Sequence, residues 1–217
     1  MSSETTKIPG SKTQNGDLRL SNASIGRLPA KIRRPAYDRA SAAPGIVHLG
    51  IGAFHRAHQA VVVDDLLTGG ATDWGIIGAS LRSPDTRDAL APQDYLYTVA
   101  VRSGAGTDHR IIGSVLACEV AKEKPAPLIA RLAHPATRIV SLTVTEKGYC
   151  HDPATGRLDP AHAETAHDLA YPEAPISTIG VLAAGLAARR EAAGGAISVV
   201  CCDNLPHNGR TVEGIVR

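Results

Sequence analysis

The fold is decided by one stretch near the start of the chain, Gly45-Ile46-Val47-His48-Leu49-Gly50-Ile51-Gly52-Ala53-Phe54-His55. Its first part is a short apolar run that ends in glycine, and such a run predicts a buried strand. Apolar side chains then recur at near-helical spacing from Phe54 to Leu67, which predicts a helix closed by Gly69-Gly70. A buried strand, a glycine turn and a helix in this order are typical of the first unit of a dinucleotide-binding fold.

Further strands and helices alternate along the chain. The patterns predict strands over residues 74–79, 138–145 and 196–202, helices over 127–133, 179–190 and from 208 onward, and a hairpin from 95–102 and 110–115. Residues 151–175 are polar and rich in proline, which predicts a loop. Alternating strands and helices imply a parallel sheet covered on both faces. The predicted class is therefore α/β, a Rossmann-like doubly wound, mostly parallel sheet with a β-hairpin insertion.

Composition excludes several partners. The chain has 217 residues, of which 43% are apolar, and a formal net charge of +2. Because lysine and arginine are spread along the chain, neither nucleic acid nor an anionic membrane is expected as a partner. No apolar run approaches the roughly 20 residues that a membrane-spanning helix needs.

The chain is predicted to divide near residue 44. Residues 1–44 are interpreted as a polar N-terminal tail and lead-in, mobile to about residue 30, and residues 45–217 as the nucleotide-binding domain. The tail lacks the apolar segment of a signal peptide, so a cytoplasmic protein with reduced cysteines is predicted. Cys201 and Cys202 lie in an apolar run and are expected to be buried. The cysteine and histidine spacing fits no zinc motif.

The glycine turn is the first candidate for cofactor binding. In a dinucleotide fold the first glycine, here Gly50, makes the tight turn. The second, Gly52, lets the backbone approach a pyrophosphate at the helix N-terminus. Ile51, Ala53 and Phe54 complete the predicted cofactor-binding turn. His55 stands where the third glycine of the motif is expected, so a tight turn without a ligand stays an alternative.

A carboxylate after the second strand is expected to bind the adenosine ribose. Asp85 has that position, but it lies further from the glycines than the usual ~20 residues. On spacing alone, a solvated loop carboxylate is the alternative interpretation. Arg82, three residues earlier, is a second candidate because its cation can contact a 2′-phosphate, which leaves NADP open beside NAD.

Polar residues also follow the later strands. Asn204 lies just past the C-terminal end of a predicted parallel strand, where open α/β sheets bind ligands. Glu146 and Lys147 follow the preceding strand, and either face the nicotinamide end of the cleft or form a solvated turn. Asn208 is predicted to cap the last helix. His55 and His58 have no evident third ligand beside them, so no metal site is predicted.

Four ordered blocks resemble the mannitol dehydrogenase family, which includes mannitol 2-dehydrogenase and fructuronate reductase. The blocks are IVHLGIGAFHRAHQA at residues 46–60, QDYLYT at 93–98, SLTVTEKGYC at 141–150 and CDNLPHNG at 202–209. The resemblance runs from about Arg34 to the end of the chain. It implies that Phe54-His55 is the family's own version of the glycine motif. It also implies that Asp85 is the ribose-binding carboxylate of NAD-preferring members.

The resemblance implies an activity. Members transfer hydride between NAD and a secondary alcohol of a polyol or sugar acid, and Asn204 matches an asparagine that holds the substrate oxygen where negative charge develops. The favoured pair is D-mannitol with D-fructose. Alternatives are D-mannonate with D-fructuronate, where Lys147 would pair with the carboxylate, and a non-catalytic nucleotide-binding fragment.

One part of the family pattern is not found in the sequence. The family carries a second, mostly helical domain that supplies a lysine general base, and its motif is absent from residues 1–217. The last helical pattern still runs at Arg217. The expectation is therefore a chain truncated before its C-terminal catalytic domain, which alone has no base to accept the hydroxyl proton.

Overall fold

A five-stranded sheet forms the centre of the protein. The computed structural model describes residues 19–152 and 154–217. The strands of the sheet are β1 Pro44–Leu49, β2 Gly75–Ser80, β5 Val115–Val120, β6 Ile139–Leu142 and β7 Ser198–Cys201. They lie in the order β5-β2-β1-β6-β7, and all four pairings are parallel. This topology confirms the predicted Rossmann-like class.

Helices cover both faces of the sheet. They are α1 Ala53–Ala57, α2 Gln59–Thr68, α3 Asp85–Leu90, α4 Pro125–Ala133, α5 Ala163–Ala170, α6 Thr178–Glu191 and α7 Asn208–Val216. Successive residues of β1 point to opposite faces, as a strand requires. Leu49 belongs to one buried cluster with Leu182 of α6, and Ile46 belongs to the other with Leu67 of α2. The doubly wound arrangement therefore follows from a strand that is apolar on both sides.

The predicted hairpin is confirmed, with different bounds. It consists of β3 Tyr97–Ser103 and β4 Gly106–Ile112, paired antiparallel in a sheet of their own. The sequence prediction ran the second strand on to Val115, but Val115 begins β5 of the main sheet. Gly113 and Ser114 separate β4 from β5. Because the apolar run continues across these two residues, the sequence pattern does not show that the chain passes from one sheet to the other.

The predicted helix from Phe54 to Leu67 is interrupted. His58 has φ −124° and ψ −85°, so α1 ends before it and α2 begins after it. The His58 ring lies with Nδ1 2.8 Å from the carbonyl oxygen of Phe54. Periodicity does not reveal such a break because the apolar residues keep their spacing across it.

Part of the segment predicted as a loop is helical. Helix α5 lies within residues 151–175, and Thr165 is its only buried residue. With so little apolar burial, its sequence shows no clear apolar stripe to a pattern search. The Asp168 carboxylate accepts hydrogen bonds from the backbone N–H groups of Ile176 and Ser177, so it links α5 to the segment before α6.

The last strand is less buried than predicted. β7 pairs only with β6 and forms an edge of the sheet, so Val200 is 41% exposed. Cys202 is exposed and Cys201 half-buried, which contradicts the prediction of two buried thiols. An apolar run does not distinguish a central strand from an edge strand.

The carboxyl ends of the central strands are in register. Leu49 of β1 lies opposite Ala79 of β2 and Leu142 of β6, and Leu142 lies opposite Cys201 of β7. β6 ends at Leu142, three residues before the predicted end at Thr145. The loops that follow the four strands therefore leave the sheet at one edge, where ligands bind in open α/β sheets.

The described part of the predicted tail lies against the domain. The N–H of Asn22 donates to the carboxylate of Asp94, and the Arg39 guanidinium donates to the carbonyl oxygens of Gly113 and Val115. Residues 1–18 lie outside the described residues, and the division of the chain at residue 44 stays a prediction. Across the described ranges, no helix has the length and apolarity needed to cross a membrane.

Candidate functional site

The glycine turn after β1 needs its first glycine. Gly50 has φ +95°, and a Cβ there would overlap the carbonyl oxygen of Thr143. Gly52 is different, because the nearest atom to a Cβ at Gly52 is 3.8 Å away. The first glycine is thus required by the neighbouring strand. The second leaves open space in front of the backbone, where a ligand can approach closely.

A stacked histidine pair replaces the third glycine. The rings of His48 and His55 lie 3.5 Å apart between centroids and 13° from parallel. Both residues are almost completely buried. A third glycine serves to bring helix and strand close together. Here a flat imidazole on α1 stacked on a flat imidazole on β1 allows the same approach.

The histidine pair also supports the glycine turn. His48 Nε2 lies 2.9 Å from the hydroxyl of Thr143 and 3.2 Å from the carbonyl oxygen of Gly50. Burial lowers the pKa of His48 to about 4 and that of His55 to about 2, so both rings are neutral at pH 7. His55 Nδ1 lies 3.0 Å from Gln59 Oε1. The pair was not among the predicted site residues. The only indication of it in the sequence is a histidine on either side of the glycine turn.

A cleft of about 440 Å³ opens beside the glycine turn. Among the residues that line it are the predicted cofactor residues Gly50, Ile51, Gly52, Arg82 and Asp85. The glycine turn and the loop after β2 form two walls of the cleft. The loop after β6 forms the third, with Thr145, Lys147 and Gly148. The structure therefore gathers five predicted residues from two separate loops around one cavity.

Arg82 and Asp85 lie on the loop that leaves β2. Asp85 is the exposed first residue of α3, and its N–H donates to the Ser83 hydroxyl at 3.1 Å. Arg82 forms a 2.8 Å ion pair with Glu164, and its side chain is 71% exposed. A carboxylate and an exposed cation thus border the cleft at this end. The sequence separation between these residues and the glycines is longer than usual, and β2 and the loop after it bridge that separation in the structure.

The loop after β6 is held in a strained conformation by Asp203. Thr145 has φ +68° and ψ 160°, a combination that few residues other than glycine adopt. The Asp203 carboxylate accepts hydrogen bonds from the N–H of Val144 at 2.9 Å and of Thr145 at 3.2 Å. It also accepts from the buried Tyr149 hydroxyl at 2.5 Å. Burial, followed by contact with Asp203, raises the pKa of Tyr149.

Asp203 is a residue that sequence reasoning missed. It was quoted as part of the block around Asn204, but no role followed from its position. The structure shows it tying the end of β7 to the loop after β6. Its signal in sequence was its place directly after a strand and before a predicted site residue.

Four predicted site residues lie at the same sheet edge but do not line the cleft. Ala53, Phe54, Glu146 and Asn204 are all exposed. Phe54 is 59% exposed and stacks on His58 at 4.4 Å between ring centroids. In the loop after β6, Lys147 rather than Glu146 faces the cavity. The ligand roles of these four residues stay predictions.

The turn that carries Asn204 is closed by Asn208. The Asn208 side-chain amide donates to the carbonyl oxygens of Cys201 and Asp203, at 3.0 Å and 3.2 Å. Asn208 is itself the first residue of α7, and His207 at the capping position makes no side-chain cap bond. The prediction that Asn208 caps the helix is therefore wrong. Its side chain instead stabilises the turn after β7.

The comparisons with known proteins agree with this geometry. The family model described as the mannitol dehydrogenase Rossmann domain matches residues 44–217. Mannitol 2-dehydrogenase of Cereibacter sphaeroides is 45% identical over 192 residues, which cover 87% of this chain and 40% of that protein. A mannitol 2-dehydrogenase of Pseudomonas fluorescens, solved as a ternary complex with NAD and D-mannitol, has a TM-score of 0.86 at 41% identity. That match covers 92% of this chain and 41% of that one.

A second solved structure leads to the same assignment. D-sorbitol dehydrogenase in its substrate-free form has a TM-score of 0.85 at 35% identity, over 92% of this chain and 42% of its own. The chain belongs to the mannitol dehydrogenase family, and residues 44–217 match the Rossmann domain of that family. It spans about 40% of the length of the curated relatives that it matches. The family predicted from the four sequence blocks is confirmed.

Proposed function

We propose that this chain forms the NAD-binding part of a dehydrogenase that transfers hydride between the nicotinamide and a secondary alcohol of a polyol. The favoured substrates are D-mannitol and D-fructose. The observation that carries the proposal is the single cleft between the glycine turn, Asp85 and the loop after β6. The relative solved with NAD and D-mannitol supports it, because the two folds agree closely at 41% identity.

Each wall of the cleft has a task in this proposal. The backbone at Gly50–Gly52 approaches the pyrophosphate, with Ala53 and Phe54 at the entrance. The Asp85 carboxylate accepts hydrogen bonds from the adenosine ribose hydroxyls. NAD, when bound, supplies the hydride chemistry. α1 has only five residues, so close backbone approach contributes more than a helix dipole.

Substrate polarisation is assigned to Asn204. A side-chain amide offers fixed N–H donors to an oxygen on which negative charge develops. Asp203 and Asn208 hold the backbone turn that carries Asn204. Glu146, which lies at the same sheet edge without lining the cleft, is proposed to face the nicotinamide once the cofactor is bound. The proton acceptor is proposed to come from a C-terminal domain, as the family resemblance implies.

Calorimetric titration of NADH and NADPH into the 217-residue chain tests the cofactor assignment. Trp74 fluorescence is a poor reporter, because Trp74 precedes β2 and lies at the opposite edge of the sheet from the cleft. Asp85→Ala is expected to weaken NADH binding about tenfold, the loss of one charged hydrogen bond. Asp108→Ala, an exposed carboxylate on the hairpin, is the matched control. Equal NADH affinities in wild type and Asp85→Ala would contradict the assignment.

A sugar acid is the second candidate substrate because Lys147 lines the cleft. Its cation would pair with the carboxylate of D-fructuronate. Turnover of the two substrates has to be compared in a chimeric protein, in which this chain is followed by the remaining part of the Cereibacter sphaeroides relative. Lys147→Ala should then lower kcat/KM for D-fructuronate more than for D-fructose, while the exposed Lys122→Ala leaves the ratio unchanged. An unchanged ratio in Lys147→Ala would exclude this role.

A non-catalytic nucleotide-binding module is the third candidate. It predicts that the chain binds NADH and turns over neither substrate, even where its coding sequence is shown to end at Arg217. Turnover of D-mannitol or D-fructose by the 217-residue chain itself would exclude it.

A further inference from the structure

Three potential metal ligands come together beside the cleft. Cys150, His162 and Glu164 each offer one ligand atom, and these atoms lie within 4.8 Å of one another. The Cys150 sulfur is 3.8 Å from Glu164 Oε2. The sequence indicates no such group, because a loop separates Cys150 from His162 and the spacing matches no zinc motif.

The fold brings these ligands together through a closed loop. The N–H of Asp159 donates to the Cys150 carbonyl at 2.9 Å, and the N–H of His162 donates to the Asp159 carbonyl at 3.2 Å. These bonds return the chain to Cys150 just before α5 begins. Cys150 itself has φ +49°, a left-handed conformation that residues other than glycine seldom adopt. Glu164 then lies in the first turn of α5.

In the described part of the chain, the three side chains make only weak contacts with other groups. Glu164 Oε1 pairs with Arg82, but the Arg82 side chain is 71% exposed, and exposed pairs are weak. His162 Nδ1 accepts a long hydrogen bond of 3.3 Å from the N–H of Glu164. The Cys150 side chain is buried beside the Glu164 carboxylate, 3.8 Å from its Oε2 atom.

We propose that Cys150, His162 and Glu164 bind a zinc ion at the edge of the cleft, with water as the fourth ligand. One sulfur, one imidazole nitrogen and one carboxylate oxygen form a ligand set that Zn²⁺ takes in tetrahedral geometry. On binding, the Cys150 thiol loses its proton to solvent and the thiolate sulfur bonds to zinc, so affinity rises with pH. Glu164 lines the same cleft as the residues assigned to NAD and pairs with Arg82, whereas none of the three ligands has a role in the proposed hydride transfer.

Zinc titration of the metal-free 217-residue chain by calorimetry, together with cobalt absorption spectra, tests the site. We expect one zinc per chain. Bound cobalt should show a thiolate charge-transfer band and the intense visible bands of four-coordination. Cys150→Ser should abolish the thiolate band. It should also weaken zinc binding by more than the roughly 10- to 100-fold that loss of an outer hydrogen-bond partner costs. Cys202→Ser, an exposed thiol elsewhere, should leave both unchanged.

Glu164 provides an independent readout. Glu164→Gln should weaken zinc binding, whereas Arg82→Ala should strengthen it because Arg82 competes for the same carboxylate. Circular dichroism checks that each variant is folded, and the wild-type cobalt spectrum is decisive without any variant. A saturated cobalt complex with no thiolate band, or zinc binding that survives Cys150→Ser, would overturn the proposal.

Discussion

The two ends of the cleft are held in shape by different forces. At the glycine turn, Gly50 has φ +95° and fits because it has no side chain to meet Thr143. At the loop after β6, Thr145 has φ +68° despite its branched side chain. Its conformation persists because Asp203, distant in sequence, accepts hydrogen bonds from the backbone of this loop. Steric exclusion maintains one end, and the half-buried Asp203 carboxylate maintains the other.

The two ends of the cleft are therefore sensitive to different kinds of substitution. A glycine turn fails when atoms are added, because the strand beside it cannot move away. A strained loop fails when a hydrogen-bond acceptor is removed, because strain of about 1–3 kcal/mol at one residue is then no longer opposed. A substitution at one end of the cleft therefore needs a different control substitution from one at the other end.

Gly50→Ala is expected to have the largest effect. The added methyl group overlaps the Thr143 carbonyl, and φ of +95° is strained for alanine. The free energy of unfolding should fall by about 3–5 kcal/mol, a magnitude typical of severe backbone strain with overpacking. Urea denaturation followed by circular dichroism measures it.

Gly70→Ala is the matched control for that substitution. Gly70 has the same φ of +95°, but no atom lies within 4 Å of a Cβ built there. We expect a loss of only about 1–2 kcal/mol, from the left-handed backbone alone. Equal losses at both positions would mean that the contact with Thr143 plays no part.

Asp203→Ala is expected to have the next-largest effect on stability. It leaves two backbone N–H groups and the Tyr149 hydroxyl without their acceptor, so the free energy of unfolding should fall by about 2–4 kcal/mol. Tyr149→Phe removes one of the three bonds and should cost about 1 kcal/mol. If the two variants are equally stable, the bonds to Val144 and Thr145 do not maintain the loop.

The histidine pair predicts a pH dependence. The folded-state pKa of His48 is about 4, below the ordinary value of 6.5, so as pH falls the unfolded chain takes up the proton first. The His48 contribution is fully present above pH 6.5 and should decline by roughly 2–3 kcal/mol down to pH 4, as the size of the shift requires. His55, with a pKa of about 2, adds its own decline over the same range. Urea midpoints at several pH values measure the total. His48→Gln should make the decline shallower by the His48 share, and the exposed His109→Gln should leave it unchanged.

Arg82→Ala is expected to have the smallest effect on stability. The pair with Glu164 joins the loop after β2 to α5, but 71% of the Arg82 side chain is exposed. The change in the free energy of unfolding should be below about 1 kcal/mol. A larger loss would show that this ion pair helps to hold the cleft together.

Local sequence was enough to predict the first unit of the fold. The β1 strand, the glycine turn and the parallel sheet follow from an apolar run, a glycine that only a left-handed position explains and a regular alternation of elements. The same reasoning made Gly50 and Gly52 candidates for the cofactor turn, whereas the role of Asp85 came from the family resemblance, because its spacing alone favoured a solvated loop carboxylate. Each of these features depends on residues close together in the chain, so the pattern is visible without a structure.

Tertiary structure alone decided the rest. The partial exposure of β7 depends on its place at the sheet edge. His55 can replace a glycine only because His48 lies flat beneath it. Asp203 and the Cys150, His162 and Glu164 group arise from contacts between distant residues. Periodicity and spacing record which residues are neighbours along the chain, whereas these features depend on which side chains meet after the chain has folded.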